Sequence, residues 1–164
     1  MKLNRAVLPL NKSETFEENV DFTNQQFDEN HVKRINSCSI KLTATDYGEV
    51  LECRITGEAS VIASCSYTLE DVSYDVKFKE IIYFSNEETD SEDCFFEPDN
   101  EIDLDPYIIA LILSEVPHNL TKSGAKLPES GQGYRVLSED DFLEERKHKK
   151  NHAFDVLDTL EIDE

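Results

Sequence analysis

Four cysteines and four histidines are the side chains of this 164-residue chain best equipped to bind a metal or act as nucleophiles. The cysteines stand at 38, 53, 65 and 94, with no Cys-x-x-Cys pair and none of the spacings that gather four ligands around zinc. Cys38, Cys53 and Cys65 share parity with apolar neighbours two residues away (Ile40, Ile55 and Ala63), so they read as small buried hydrophobes in strands. His31, His118, His148 and His152 are scattered in polar contexts without i,i+4 pairing, which argues against a metal set. Asp99, Glu101 and Asp103 alternate as in a calcium loop. Yet no glycine stands at the sixth position, and Ala110 stands where the bidentate Glu belongs. No nucleophile elbow or zinc-protease pattern occurs, and Gly131-Gln132-Gly133 lacks the third glycine and the preceding strand of a dinucleotide turn. The expectation is a non-catalytic protein with no cofactor and no metal.

Charge is the strongest compositional fact. Thirty-six acids against sixteen bases give a net charge of −20, with 38% apolar and 32% charged residues. Such a field attracts cations and basic proteins and repels polyanions. Nonspecific nucleic-acid binding, driven by Lys and Arg displacing counterions, is disfavoured unless the bases gather on one face. Ten of the twenty residues at 86–105 are Asp or Glu and none is Lys or Arg, so an acidic, solvated loop is expected at 86–103, able to dock a basic partner. Candidates for direct RNA contact are Lys122, Lys126, Arg135 and the cluster Arg146, Lys147, Lys149 and Lys150. The six acids between 129 and 145 make a helix-end charge complement the stronger reading of that cluster.

The elements that position these residues follow from periodicity. One domain is expected over 1–164, large enough to bury about 70% of its unfolded surface. Cys38, Ile40, Leu42 and Ala44 alternate up to the turn at Asp46-Tyr47-Gly48. Leu51, Cys53 and Ile55 follow, Gly57 breaks the run, and Ala59, Val61, Ala63 and Cys65 resume it. Val72 to Phe84 then alternate at every second position, and Ala6–Leu10 carries a weaker strand pattern. Short strands joined by tight turns predict an antiparallel β meander with one wet face. Asp105-Pro106 reads as the N-cap and first residue of a helix reaching about 116. Its apolar residues surround most of its circumference, so it is expected to be buried against the sheet. Ser138 to Asp141 reads as a capping box opening a C-terminal helical segment in a looser tail at 138–164, with Ala153, Val156, Leu157 and Leu160 at helical spacing. The fold class is α+β. No apolar stretch near the N-terminus resembles an export signal, and the longest apolar run, Tyr107–Leu113, is too short to span a bilayer. The expected location is the cytoplasm, without membrane contact.

Two blocks carry a resemblance. Cys65-Ser66-Tyr67-Thr68-Leu69-Glu70-Asp71-Val72, with an aromatic two places on, precedes Asp103-Leu104-Asp105-Pro106 and its apolar helix, then Gly124–Gly131 and Tyr134–Phe142. Over roughly residues 30–150 this resembles the YceD-like family, the large ribosomal RNA subunit accumulation proteins, and most closely its low-GC Gram-positive branch. Thr68 stands where many relatives carry a second cysteine, so no zinc-like site is carried over. Tyr67 stands where an Arg is common, and Asn151-His152-Ala153 where Asp-Pro-Arg often closes the family pattern. The resemblance implies a YceD-like domain over the whole chain and a cytoplasmic, non-catalytic factor that supports accumulation or processing of large-subunit (23S) ribosomal RNA. Joined to the charge, it points to a basic ribosomal or ribosome-assembly protein as partner, with ribosomal RNA engaged indirectly. Cys65, Ser66, Tyr67, Thr68, Glu70 and Asp71 are the expected partner-binding turn. The alternative is direct binding of structured RNA through the basic residues named above.

Overall fold

Alternation of apolar and polar side chains builds three strands of fifteen residues each: β3 (Val32–Asp46), β4 (Val50–Ser64) and β5 (Asp71–Ser85). The computed structural model describes residues 1–25, 27, 31–88 and 93–148, which fall into two compact units divided after Ser123. In the first unit a shorter strand, β2 (Ser13–Val20), adds antiparallel to β3, and β6 (Cys94–Phe96) adds to β5. The sheet order is β2-β3-β4-β5-β6. Register places Leu42 opposite Ile55, Ala44 opposite Cys53 and Cys53 opposite Ile82, so one face is continuously apolar and buried. The other face carries Lys41, Thr56, Glu58 and Lys77 and is wet, as the alternation predicts.

The α+β class and the meander hold, with differences that have physical causes. β6 pairs parallel to β5, so the sheet is mixed rather than wholly antiparallel. β6, together with β7 (Glu101–Asp103), also replaces part of the expected acidic loop with short strands. Phe95 supplies the reason for β6: its ring lies 4.9 Å from Tyr107 and 6.1 Å from Phe84, and Tyr107 lies 5.0 Å from Phe84. Gly57 does not interrupt β4. A Cβ there would stand 2.5 Å from the Phe78 ring and 2.8 Å from the Ser39 carbonyl oxygen, so the glycine makes room for a cross-strand aromatic. Ala6–Leu10 is not a strand. β1 (Lys2–Asn4) and a 3-10 turn at Arg5–Val7 stand at that end instead, and β1 pairs with β7.

The helix α1 (Asp105–Glu115) begins one residue earlier than the Asp-cap reading allows. Leu104 occupies the cap position without a side-chain bond, the Asp103 carboxylate accepts from the Asp105 amide (3.1 Å), and Asp105 itself binds the Met1 ammonium. The helix is also less enclosed than its composition suggests. Ile108, Ile112 and Val116 are buried along one stripe, while Ile109, Leu111 and Leu113 are only half-buried. In the second unit, α2 (Glu139–His148) starts where the capping signal predicts: the Ser138 hydroxyl accepts from the Asp141 amide (3.1 Å) and donates to its carboxylate (2.6 Å). Residues 149–164 of the expected helical tail lie outside the described residues.

Candidate functional site

The β4–β5 connection is the most elaborately tied turn of the first unit. The Cys65 amide donates to the Glu70 carbonyl (2.8 Å) and the Leu69 amide to the Cys65 carbonyl (2.9 Å), which closes the loop on itself. Leu69 takes a left-handed conformation (φ 59°) to do so, and its side chain is left in solvent. From outside, the segment following α1 clamps the turn. The Ser66 amide donates to the Leu120 carbonyl (2.8 Å) and its hydroxyl to the His118 carbonyl (3.2 Å), while Lys122 Nζ pairs with Glu70 (3.0 Å). Asp71 pairs with Lys33 at the start of β3.

Cys65 sits at the centre of this arrangement. Parity correctly places it inside, where it is fully buried, but it does more than a small hydrophobe. Its Sγ accepts the Lys122 amide (3.3 Å). The Thr68 hydroxyl, then that amide, then the backbone amides of Thr68 and Tyr67 lower its pKa to about 7 against the opposition of burial. The other enclosed thiols go the opposite way: desolvation pushes Cys38 to about 11 and Cys53 to about 12. A buried sulfur ringed by donors is closed to attacking groups. It acts as an acceptor that joins β4, the turn and the segment after α1.

The candidate partner-binding residues therefore form one contiguous turn, with Ser66, Tyr67, Thr68, Glu70 and Asp71 exposed around the buried Cys65. The candidate RNA-contacting residues are not gathered in the same way. Lys122 stands at this turn with Glu70 as its partner. Lys126, Arg135, Arg146 and Lys147 belong to the second unit, where Arg135 pairs with Glu145 and the Arg146 guanidinium lies 5.9 Å from the Phe142 ring centre. Lys149 and Lys150 lie outside the described residues.

One pairing is missing from the sequence reading. His31 and His118 are 87 residues apart but their rings are 5.3 Å apart, tilted by 54°. His31 precedes β3 and accepts the Ser64 amide at its carbonyl (2.8 Å), while His118 follows α1, so both border the Cys65 turn. His31 Nε2 is buried without a hydrogen-bond partner among the described residues. Neither local spacing nor periodicity signals such a contact. No group of three or more metal-binding side chains occurs among the described residues.

At the opposite end of β5 lies a concave pocket of about 640 Å³. Glu49, Tyr83, Glu87, Glu88, Asp93 and Cys94 contribute to its lining. Exposed aromatic rings stand nearby in sequence at Tyr47, Phe95 and Phe96. No helix among the described residues is long and apolar enough to cross a membrane.

Comparison with known proteins takes in this turn together with most of the chain. The family model described as large ribosomal RNA subunit accumulation protein YceD matches residues 51–161, from β4 through the Cys65 turn, β5 and α1. The chain belongs to the YceD family. A relative from Bacillus subtilis (strain 168), the uncharacterized protein YlbN, is 27% identical over 154 residues, covering 89% of this chain and 85% of that protein. No solved structure matches. The YceD description names accumulation of large-subunit ribosomal RNA, which ties this chain to a ribosome-related role.

Proposed function

We propose that this YceD-family chain supports large-subunit ribosomal RNA accumulation as a binding factor rather than a catalyst, by holding a basic ribosomal or assembly protein. The observation that carries this reading is where the carboxylates stand: Glu49, Glu87, Glu88 and Asp93 converge on one pocket beside Tyr83, in a chain of net charge −20. Converging carboxylates raise the local concentration of Lys- and Arg-rich segments, and a neighbouring aromatic ring adds a face for a cation. The exposed turn Ser66–Asp71 offers a second contact, with Tyr67 and Leu69 as apolar points.

Direct RNA binding is the weaker reading. Lys122 and Arg135 are each engaged by a carboxylate, and Arg146 is drawn to an aromatic ring. The test is capture of ribosomal proteins from dissociated large subunits, using the wild-type chain and a Glu87→Gln/Glu88→Gln/Asp93→Asn variant. Binding of basic proteins that weakens with added salt and falls in the variant supports the reading. Equal capture by both, or retention of protein-free ribosomal RNA through the basic residues, overturns it.

A further inference from the structure

The sheet ends in an edge that nothing described in the first unit covers. β6 shields only Tyr83–Ser85, so most of β5 has no strand beyond it. The direction of its free backbone groups can be worked out. The Ser85 carbonyl accepts from Glu97 on the β6 side (2.8 Å), and the β4–β5 register runs unbroken from Val50↔Ser85 to Ser64↔Asp71. In an antiparallel ladder alternate residues turn both amide and carbonyl to the same side. The odd-numbered residues of β5 therefore present theirs to the open edge. Ile81 agrees: its amide is taken by the Glu80 carboxylate (3.0 Å) rather than by β4. That leaves Ser73, Asp75, Lys77 and Lys79 with outward backbone groups and no partner among the described residues.

These four positions are symmetric about Val76, and the inner two, Asp75 and Lys77, carry opposite charges. We propose that a second copy of this chain adds antiparallel along the β5 edge, joining two sheets into one through a two-fold axis at Val76. In that register Ser73 faces Lys79 of the other copy, and Asp75 faces Lys77 twice, on the wet face of both sheets. On the core face Tyr74 stands opposite Phe78 and Val76 opposite itself. Opposite charges and aromatic pairs directly across a ladder are the arrangements that stabilise it. Moving the axis to residue 75 or 77 would set Asp75 against Asp75 or Lys77 against Lys77. Lysines on an edge ordinarily deter strand addition. Lys77 already pairs with Glu58 of β4 (2.8 Å), and an antiparallel copy brings it a second carboxylate, Asp75, from the open side. The other edge of the sheet lacks this property: β2 holds Glu14, Glu17 and Glu18 and no base, so no register of its self-pairing sets opposite charges across the ladder. Repulsion between two chains of charge −20 is screened beyond about 8 Å at physiological salt, which leaves contacts across the ladder to decide.

The test is sedimentation velocity on the full chain at physiological salt, from low micromolar to millimolar concentration, with circular dichroism to confirm folding of each variant. The wild type should pass from monomer to dimer. Asp75→Lys alone and Lys77→Asp alone should each weaken the dimer by roughly tenfold or more, since each turns both attractive pairs into repulsive ones. Mixing the two variants should restore association as a heterodimer, because one strand then carries two bases and the other two acids. A wild type that stays monomeric throughout overturns the proposal. So do single variants that dimerise like the wild type, or a mixture that fails to associate.

Discussion

At the residue scale, two polar groups inside the first unit govern how it responds to acid and to mutation. Arg5 is buried and reaches Asp46 with two nitrogens (3.0 and 2.8 Å) and the Gly48 carbonyl with one of them (2.8 Å), tying the N-terminal turn to the β3–β4 hairpin. The Arg5 hydrogen bonds hold the Asp46 carboxyl below its ordinary 3.8. Its contribution to stability is therefore complete above about pH 4 and is lost as pH falls through the lower folded value. Asp46→Asn should cost about 3–5 kcal/mol, since it leaves Arg5 buried without its counter-charge, and should flatten the acid limb of a urea-midpoint profile. Cys65 titrates in the opposite part of the scale. Lowered from 9.0 to about 7, its stabilising effect is full above pH 9 and is lost as pH falls through 7. Thr68→Val removes the first of its donors and should move the thiolate absorbance transition upward toward 9.

At the scale of elements, the sheet was legible in the alternation of its residues while the exceptions were not. Parity over Cys38–Ala44, Leu51–Ile55 and Val72–Phe84 specifies which face is buried, because a one-residue slip would turn every apolar side chain into water. Gly57 misleads for a physical reason: its role depends on Phe78, twenty-one residues away across the ladder, and a lone glycine in a strand reads locally as a break. Gly57→Ala should destabilise by about 1–3 kcal/mol through overpacking, and Gly57→Ala/Phe78→Leu should recover part of that in denaturant titrations. The helix gives a second comparison. Ile112→Ala should cost about 2–5 kcal/mol because Ile112 is fully buried, whereas exposed Ser114→Ala should change little. Asp105 was legible as a helix-start residue. Its displacement from the cap position was not, because the Met1 ammonium takes the Asp105 carboxylate through a contact that only the folded chain brings about, while the neighbouring Asp103 carboxylate accepts the Asp105 amide.

At the scale of the whole molecule, the Cys65 turn was legible as a motif, but its construction was not. The Lys122 amide on the sulfur and the His31–His118 pair both come from segments far away in sequence, gathered by α1 as it returns along the sheet. Charge behaves differently, since its sign needs no fold to be read. Folding adds the convergence of Glu49, Glu87, Glu88 and Asp93 on one pocket from separate connections. An acidic factor of the YceD family should therefore associate with large-subunit assembly through cationic protein, with binding that weakens as salt rises. The most direct measurement is a sucrose gradient of lysate from cells carrying a tagged chain, probed at low and raised salt. Co-migration of the wild type with large-subunit precursors, reduced in Glu87→Gln/Glu88→Gln/Asp93→Asn and by added salt, is the expected result. Absence from those fractions, or co-migration unchanged by the three substitutions and by salt, would contradict the account.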